Sequence, residues 1–114
     1  MDTESALAAL AALAHPTRLA TFRLLVRHAP EGLSTGTLVK AAGLSQSTLS
    51  THLAVLVKAG LVSAHKQGRQ QIQRAEISAM SALMLYLVRD CCEGRADLCA
   101  PLLETLSCCA PAAE

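Results

Sequence analysis

The sequence predicts a mainly helical α+β domain with about five helices and one small two-stranded hairpin. Three observations carry this. Apolar residues recur three and four apart in several segments bounded by Gly or Pro, which is the helical period. Two short helical segments, each preceded by a serine, flank Gly43 in the pattern of a helix-turn-helix. Two short extended segments flank Gly68-Arg69 in the pattern of a hairpin.

Residues 4–14 are rich in alanine and leucine, and Leu7, Leu10 and Leu13 form a narrow apolar stripe along a first helix. His15-Pro16 interrupts it. Proline suits a helix's first turn, so a second helix starts there and runs to about His28, with Leu19, Phe22, Leu25 and Val26 at helical spacing. Ala29-Pro30-Glu31-Gly32 is a turn. Ser34 caps a short helix over about 35–42, which Gly43 ends. Ser45 caps the next, over about 46–59, ended by Gly60. Residues 61–67 and 70–76 form the hairpin, although their alternation is weak. Ser78 caps a last helix over about 79–92, with Met80, Leu83, Met84, Leu87 and Val88 on one face. Residues 1–92 thus make one domain, and residues 93–114, broken by Gly94 and Pro101, form a cysteine-containing tail.

Composition removes several classes of function. Apolar residues make up 52% of the 114 residues and charged residues 17%, so the chain can build a core and is no acidic or basic tail. Phe22 and Tyr86 are the only aromatic residues, which argues against a base-stacking RNA or single-strand binder. The apolar runs are too short to span a bilayer, and Met1-Asp2-Thr3-Glu4 lacks the basic start of a signal peptide. The expected location is therefore the cytoplasm, with no membrane partner. Thiols in a reducing compartment more often bind metal or do chemistry than form disulfides. No Ser/His/Asp or Cys/His spacing and no phosphate loop is present, so an enzyme is not expected.

The net charge of +1 hides an asymmetry. Residues 15–75 hold eight basic side chains against one acid, Glu31. Residues 76–114 hold two against six. A basic middle between acidic ends suits either a nucleic-acid surface or an ordinary uneven surface. The helix over 46–59 favours the first. On a helical wheel Leu49, Leu53, Leu56 and Val57 gather on the buried side. Ser47, Thr51, Ala54 and Lys58 gather opposite, with Ser50 and His52 flanking. Short polar side chains let a helix backbone approach a major groove, and hydroxyls bond base edges or phosphates. An ordinary surface helix carries more Glu and Lys. Arg69 at the hairpin tip could reach a minor groove or a phosphate, and Lys66 and Arg74 would add phosphate contacts.

His15-Pro16-Thr17-Arg18-Leu19, then Leu44-Ser45-Gln46-Ser47-Thr48-Leu49-Ser50-Thr51-His52-Leu53, then Lys58-Ala59-Gly60-Leu61-Val62, then Gly68-Arg69 resemble the ArsR/SmtB family in order and spacing. These are dimeric repressors of metal and metalloid resistance operons. The resemblance covers roughly residues 5–92. It implies a winged helix-turn-helix, with the hairpin as the wing and the first and last helices as the homodimer interface. It also implies double-stranded operator DNA as partner, no cofactor for DNA binding, and release when an effector binds. By that resemblance Gln46, Ser47, Ser50, Thr51 and His52 are the DNA contacts, beside Lys66 and Arg69 of the wing. His15 reads as an N-cap, and His28 and His65 as structural or surface residues.

The family's sensing sites vary. The Cys-x-Cys pair of its arsenic-sensing archetype is absent from Leu33-Ser34-Thr35-Gly36-Thr37-Leu38. The Asp and His ligands of its zinc sensors are absent from residues 79–89. All five cysteines lie in the last 24 residues, and Cys91, Cys92 and Cys99 can gather around the Gly94 turn. Three thiolates without imidazole make a soft site that suits three-coordinate As(III), whereas structural zinc takes four ligands. This arrangement resembles an arsenite-responsive subgroup of the family. Cys108 and Cys109 are candidate auxiliary ligands. The expected function is a repressor released by trivalent arsenic (arsenite, antimonite or a methylated arsenite). One rival keeps the repressor and changes the signal to Cd, Pb, Zn or thiol oxidation. Another is a thiol-rich metal buffer with a vestigial DNA-binding fold.

Overall fold

The computed structural model describes residues 1–92. Five helices and three strands follow in the order α1 (Thr3–Leu13), α2 (Pro16–Arg27), β1 (Leu33–Ser34), α3 (Thr35–Ala42), α4 (Gln46–Lys58), β2 (Val62–Gln67), β3 (Gln70–Ala75) and α5 (Ile77–Cys92). Each of the first four helices begins at a side-chain cap. The acceptors are Asp2 Oδ1 for Ser5 N–H (2.8 Å), His15 Nδ1 for Thr17 N–H (3.1 Å), Ser34 Oγ for Thr37 N–H (3.1 Å) and Ser45 Oγ for Thr48 N–H (3.2 Å). These bonds satisfy first-turn amides that have no partner inside the helix. Gly43 ends α3 in the left-handed conformation (φ 69°), so α4 can leave at a new angle.

One core joins all five helices to the sheet. Phe22 and Leu25 of α2, Leu38 of α3, Leu49, Leu53 and Leu56 of α4, Leu61, Val62 and Leu83 are buried together. From α1 the buried residues are Ala6, Ala9 and Ala12, which let its backbone lie close against the rest. Ala79, Met80 and Tyr86 pack on the same cluster from α5.

The sheet has the order β1-β3-β2 and is antiparallel throughout. The expected hairpin is present, from Val62↔Ala75 to Gln67↔Gln70. The third strand was not expected. Leu33 and Ser34 pair with Gln73 and Ile72, and two residues are too few to display an alternating pattern.

On α1 the alanine face is the buried one, and Leu7 (61%) and Leu10 (39%) of the leucine stripe are exposed. Other expectations need correction. Leu19, Val57 and Leu87 are also exposed. Helix α5 begins two residues earlier than expected, so Ser78 lies inside it, and the Glu76 carbonyl accepts the Ala79 and Met80 amides (3.1 Å each). Among the described residues no helix is long and apolar enough to cross a membrane.

Gly32 is the tightest backbone site. Its φ is +84°, and a Cβ there would collide with the Gln73 carbonyl oxygen and the Arg74 side chain. Gly68 also has positive φ but open space around it. Gly32→Ala is expected to cost about 3 kcal/mol in urea unfolding and Gly68→Ala only about 1. Equal losses would contradict the close approach at β3.

Candidate nucleic-acid interface

Helix α4 is held by its buried leucines, and this fixes which side chains it presents. Gln46, Ser47, Ser50, Thr51, Ala54 and Lys58 are exposed. The Thr51 hydroxyl donates to the Ser47 carbonyl at 3.0 Å, which orients it along the helix and leaves its lone pairs outward. Ser45 Oγ donates to Thr48 Oγ1 at 2.9 Å.

The β2–β3 hairpin stands beside this face. Gly68 (φ 66°) makes its turn, and Lys66 and Arg69 are exposed on it. Between α4, the start of α3 and the hairpin lies a cleft of about 640 Å³. It brings together Gln46, Ser50, Lys66 and Arg69, four of the residues expected to contact DNA. Val57 is exposed because it lines this cleft instead of the core.

Three residues of the cleft had escaped the sequence analysis. Thr35, Gln71 and Gln73 tie α3 to β3: Gln73 Nε2 donates to Thr35 Oγ1 at 3.2 Å, and the Thr35 hydroxyl donates to the Gln71 carbonyl at 3.3 Å. Gln73 is 5% exposed, so this chain of bonds forms the floor on which α3 and the hairpin keep their distance. A buried glutamine in a strand has no sequence signal until its cross-strand partner is known.

One cation and one histidine sit differently from expectation. Arg74 lies away from the cleft, its Nε donating to the Glu31 carbonyl at 3.3 Å. His52 does not share the exposed face of Ser47 and Thr51. It is half-buried against α2, its ring 4.5 Å from that of His15 and its Nδ1 3.4 Å from Arg18 Nη1. Burial first, then His15 and Arg18 beside it, hold its pKa below the ordinary histidine value.

Cys91 and Cys92 are the last two residues of α5. Cys99, Cys108 and Cys109 lie outside the described residues, as does the expected tail 93–114. Among the described residues no group of three or more His, Cys, Asp or Glu is arranged to hold a metal.

Residues 13–63, which span α2 to the start of β2, match the family described as a helix-turn-helix domain. The Escherichia coli regulator YgaV, an HTH-type transcriptional regulator, is 32% identical over 75% of this chain and 85% of its own length. Among solved structures, an ArsR-like regulator from Rhodococcus sp. RHA1 superposes with a TM-score of 0.71 at 26% identity, covering 85% of this chain and 89% of that one. The homodimeric winged helix-turn-helix DNA-binding domain of Mb0332 from Mycobacterium bovis gives 0.60 at 28% identity, covering 76% and 80%. The chain belongs to the ArsR family of winged helix-turn-helix transcriptional regulators. Helices α3 and α4 are its helix-turn-helix, and β2 and β3 its wing. As a DNA-binding regulator it has in α4 its recognition helix, and the cleft separates that helix from the wing.

Two expectations follow for the ArsR-family chain. Lys66→Ala and Arg69→Ala should each reduce the salt dependence of DNA binding by about one unit of log–log slope, weakening all sequences alike. An unchanged slope would remove them from the phosphate contacts. The second concerns stability. A base whose folded pKa is depressed takes up its proton more readily when unfolded. Its contribution is complete above the ordinary histidine pKa and falls as pH drops toward the folded value. The melting midpoint should therefore be higher at about pH 7.5 than at about pH 5.5, and His52→Asn should flatten that difference. An equally steep variant would show that another group is responsible.

Proposed function

We propose that this chain is a homodimeric repressor that leaves its operator when trivalent arsenic binds the thiolates of Cys91, Cys92 and Cys99. Gln46, Ser47, Ser50 and Thr51 read the major groove in this proposal, and Lys66 and Arg69 hold phosphates or the minor groove. The observation that carries it is the cleft, which sets the recognition helix and the cationic wing side by side.

Dimerisation is supported by apolar side chains exposed among the described residues. Leu7 and Leu10 on α1 and Leu85 (60% exposed) and Leu87 on α5 lie on helices that touch each other, with Thr3 Oγ1 2.5 Å from Tyr86 Oη. Exposed apolar side chains on adjoining helices mark a protein–protein surface. The Mb0332 domain, similar in fold, is described as homodimeric.

The effector rests on chemistry. Three sulfur ligands suit As(III), and no imidazole is near them in sequence. Cys91 and Cys92 end the same helix that carries Leu85 and Leu87, so ligation acts on the dimer surface. The effector shifts the protein off DNA only through its different affinity for the two states. The adjacency of Cys91 and Cys92 also favours a second reading, in which a soft metal or thiol oxidation is the signal.

Fluorescence anisotropy of the reduced protein on its own promoter DNA tests the effector. Near-stoichiometric arsenite should release the DNA and zinc should not, and Cys91→Ser protein should stay bound. Release of that variant by arsenite would sink the site. Leu85→Glu tests the dimer. It should sediment as a monomer and bind the promoter on the order of 100-fold more weakly, whereas a dimeric variant would place the interface elsewhere.

A further inference from the structure

Arg18 sits where three helices meet. Its Nε donates to the Ala12 carbonyl at 2.6 Å and its Nη2 reaches the Ala11 carbonyl at 3.5 Å, both in the last turn of α1. Its Nη1 lies 3.4 Å from Nδ1 of His52 on α4. The His52 ring packs on that of His15, with planes 41° apart, and His15 Nδ1 caps α2. One guanidinium and two imidazoles therefore join the end of α1, the start of α2 and the recognition helix.

The partners dictate the protonation of both rings. A guanidinium only donates, so the His52 Nδ1 facing it accepts and carries no proton. The Thr17 amide also donates, so His15 Nδ1 carries none. Each ring is then neutral, with its proton on Nε2. The charged and titratable groups facing His52 from α2 are Arg18 and His15, and α1 presents only backbone carbonyls. Among the described residues the partners of Arg18 are the Ala11 and Ala12 carbonyls and His52, with no carboxylate to balance a second cation. A proton on His52 Nδ1 would point at the guanidinium, and a proton on His15 Nδ1 would remove the acceptor that caps α2.

We propose that His15, Arg18 and His52 form a neutral-imidazole lock that positions the recognition helix against α1, and that protonating it lowers operator affinity as pH falls below neutral. His52 acts here as a positioning residue and not as a DNA contact. The inference rests on the DNA-binding reading and is independent of arsenic. Its sign is diagnostic. Acid normally strengthens DNA binding, because added positive charge on a protein surface near phosphates releases more counterions. The lock predicts the reverse for the operator.

The test is anisotropy of the reduced full chain on its promoter DNA and on a scrambled duplex, at constant ionic strength, from about pH 8 to about pH 5.5. The promoter Kd should rise at least about tenfold on acidification, and the scrambled-duplex Kd should stay level or fall. His15→Asn and His52→Asn keep an acceptor near the Nδ1 position but do not titrate. Each is read only by the ratio of its promoter Kd values at the two pH extremes, which should shrink to less than half the wild-type ratio. The two substitutions lie on different helices, so failure of one to fold leaves the other. A promoter Kd that is level or falls in acid would overturn the lock, as would Asn variants that keep the full ratio. Wild-type protein that cannot tell promoter from scrambled DNA at pH 8 would overturn the DNA-binding reading itself, and the lock with it.

Discussion

The burial of one face of α4 is the constraint on which the domain depends. Leu49 and Leu56 are fully buried and Leu53 nearly so, each contributing about 2 kcal/mol of transfer free energy. Rotating α4 would expose these leucines and bury serines and threonines with no partners. The polar face of the recognition helix is thus outward by exclusion. Its freedom from acidic side chains, together with Lys58 at its end, then sets what that face can approach.

The same economy explains α1 and α5. Helix α1 reaches the core with alanines, which bury little area each but permit a close backbone approach. Its leucines are left for another surface. Helix α5 divides its apolar residues in the same way, with Leu83 inward and Leu85 and Leu87 outward. The described residues therefore leave apolar side chains exposed on both α1 and α5. Cys91 and Cys92 close the same helix.

Polar interactions decide the angles between these parts. Gln73 and Thr35 hold the wing to α3 from below the cleft, and Arg18 holds α1 to α4 from the opposite end. Arg18 also donates to the Ala12 carbonyl in the last turn of α1, where the helix dipole favours a cation, and reaches the Ala11 carbonyl that already accepts the Ala14 amide. Its guanidinium stands beside the His52 ring, which packs on that of His15.

The sequence by itself determined the helices, the caps at His15, Ser34 and Ser45, the helix-turn-helix and the hairpin, because each is encoded within a few neighbouring residues. Ser34, Ser45 and Gly43 are local signals, and the 3.6-residue period places Leu49, Leu53 and Leu56 without reference to the rest of the chain. It also placed Ser47 and Thr51 on one outward face with Ser50 flanking, and the cleft takes in Ser50. Only the tertiary structure decided the rest. Whether the leucines or the alanines of α1 face inward depends on what they meet, and both faces are apolar. Strand β1 exists only because β3 lies beside it. Val57 and His52 sit at the edges of the α4 wheel, where a neighbour settles which way a side chain goes. The wing took Val57 into the cleft, and α2 drew His52 away from it through a contact with Arg18, more than thirty positions away.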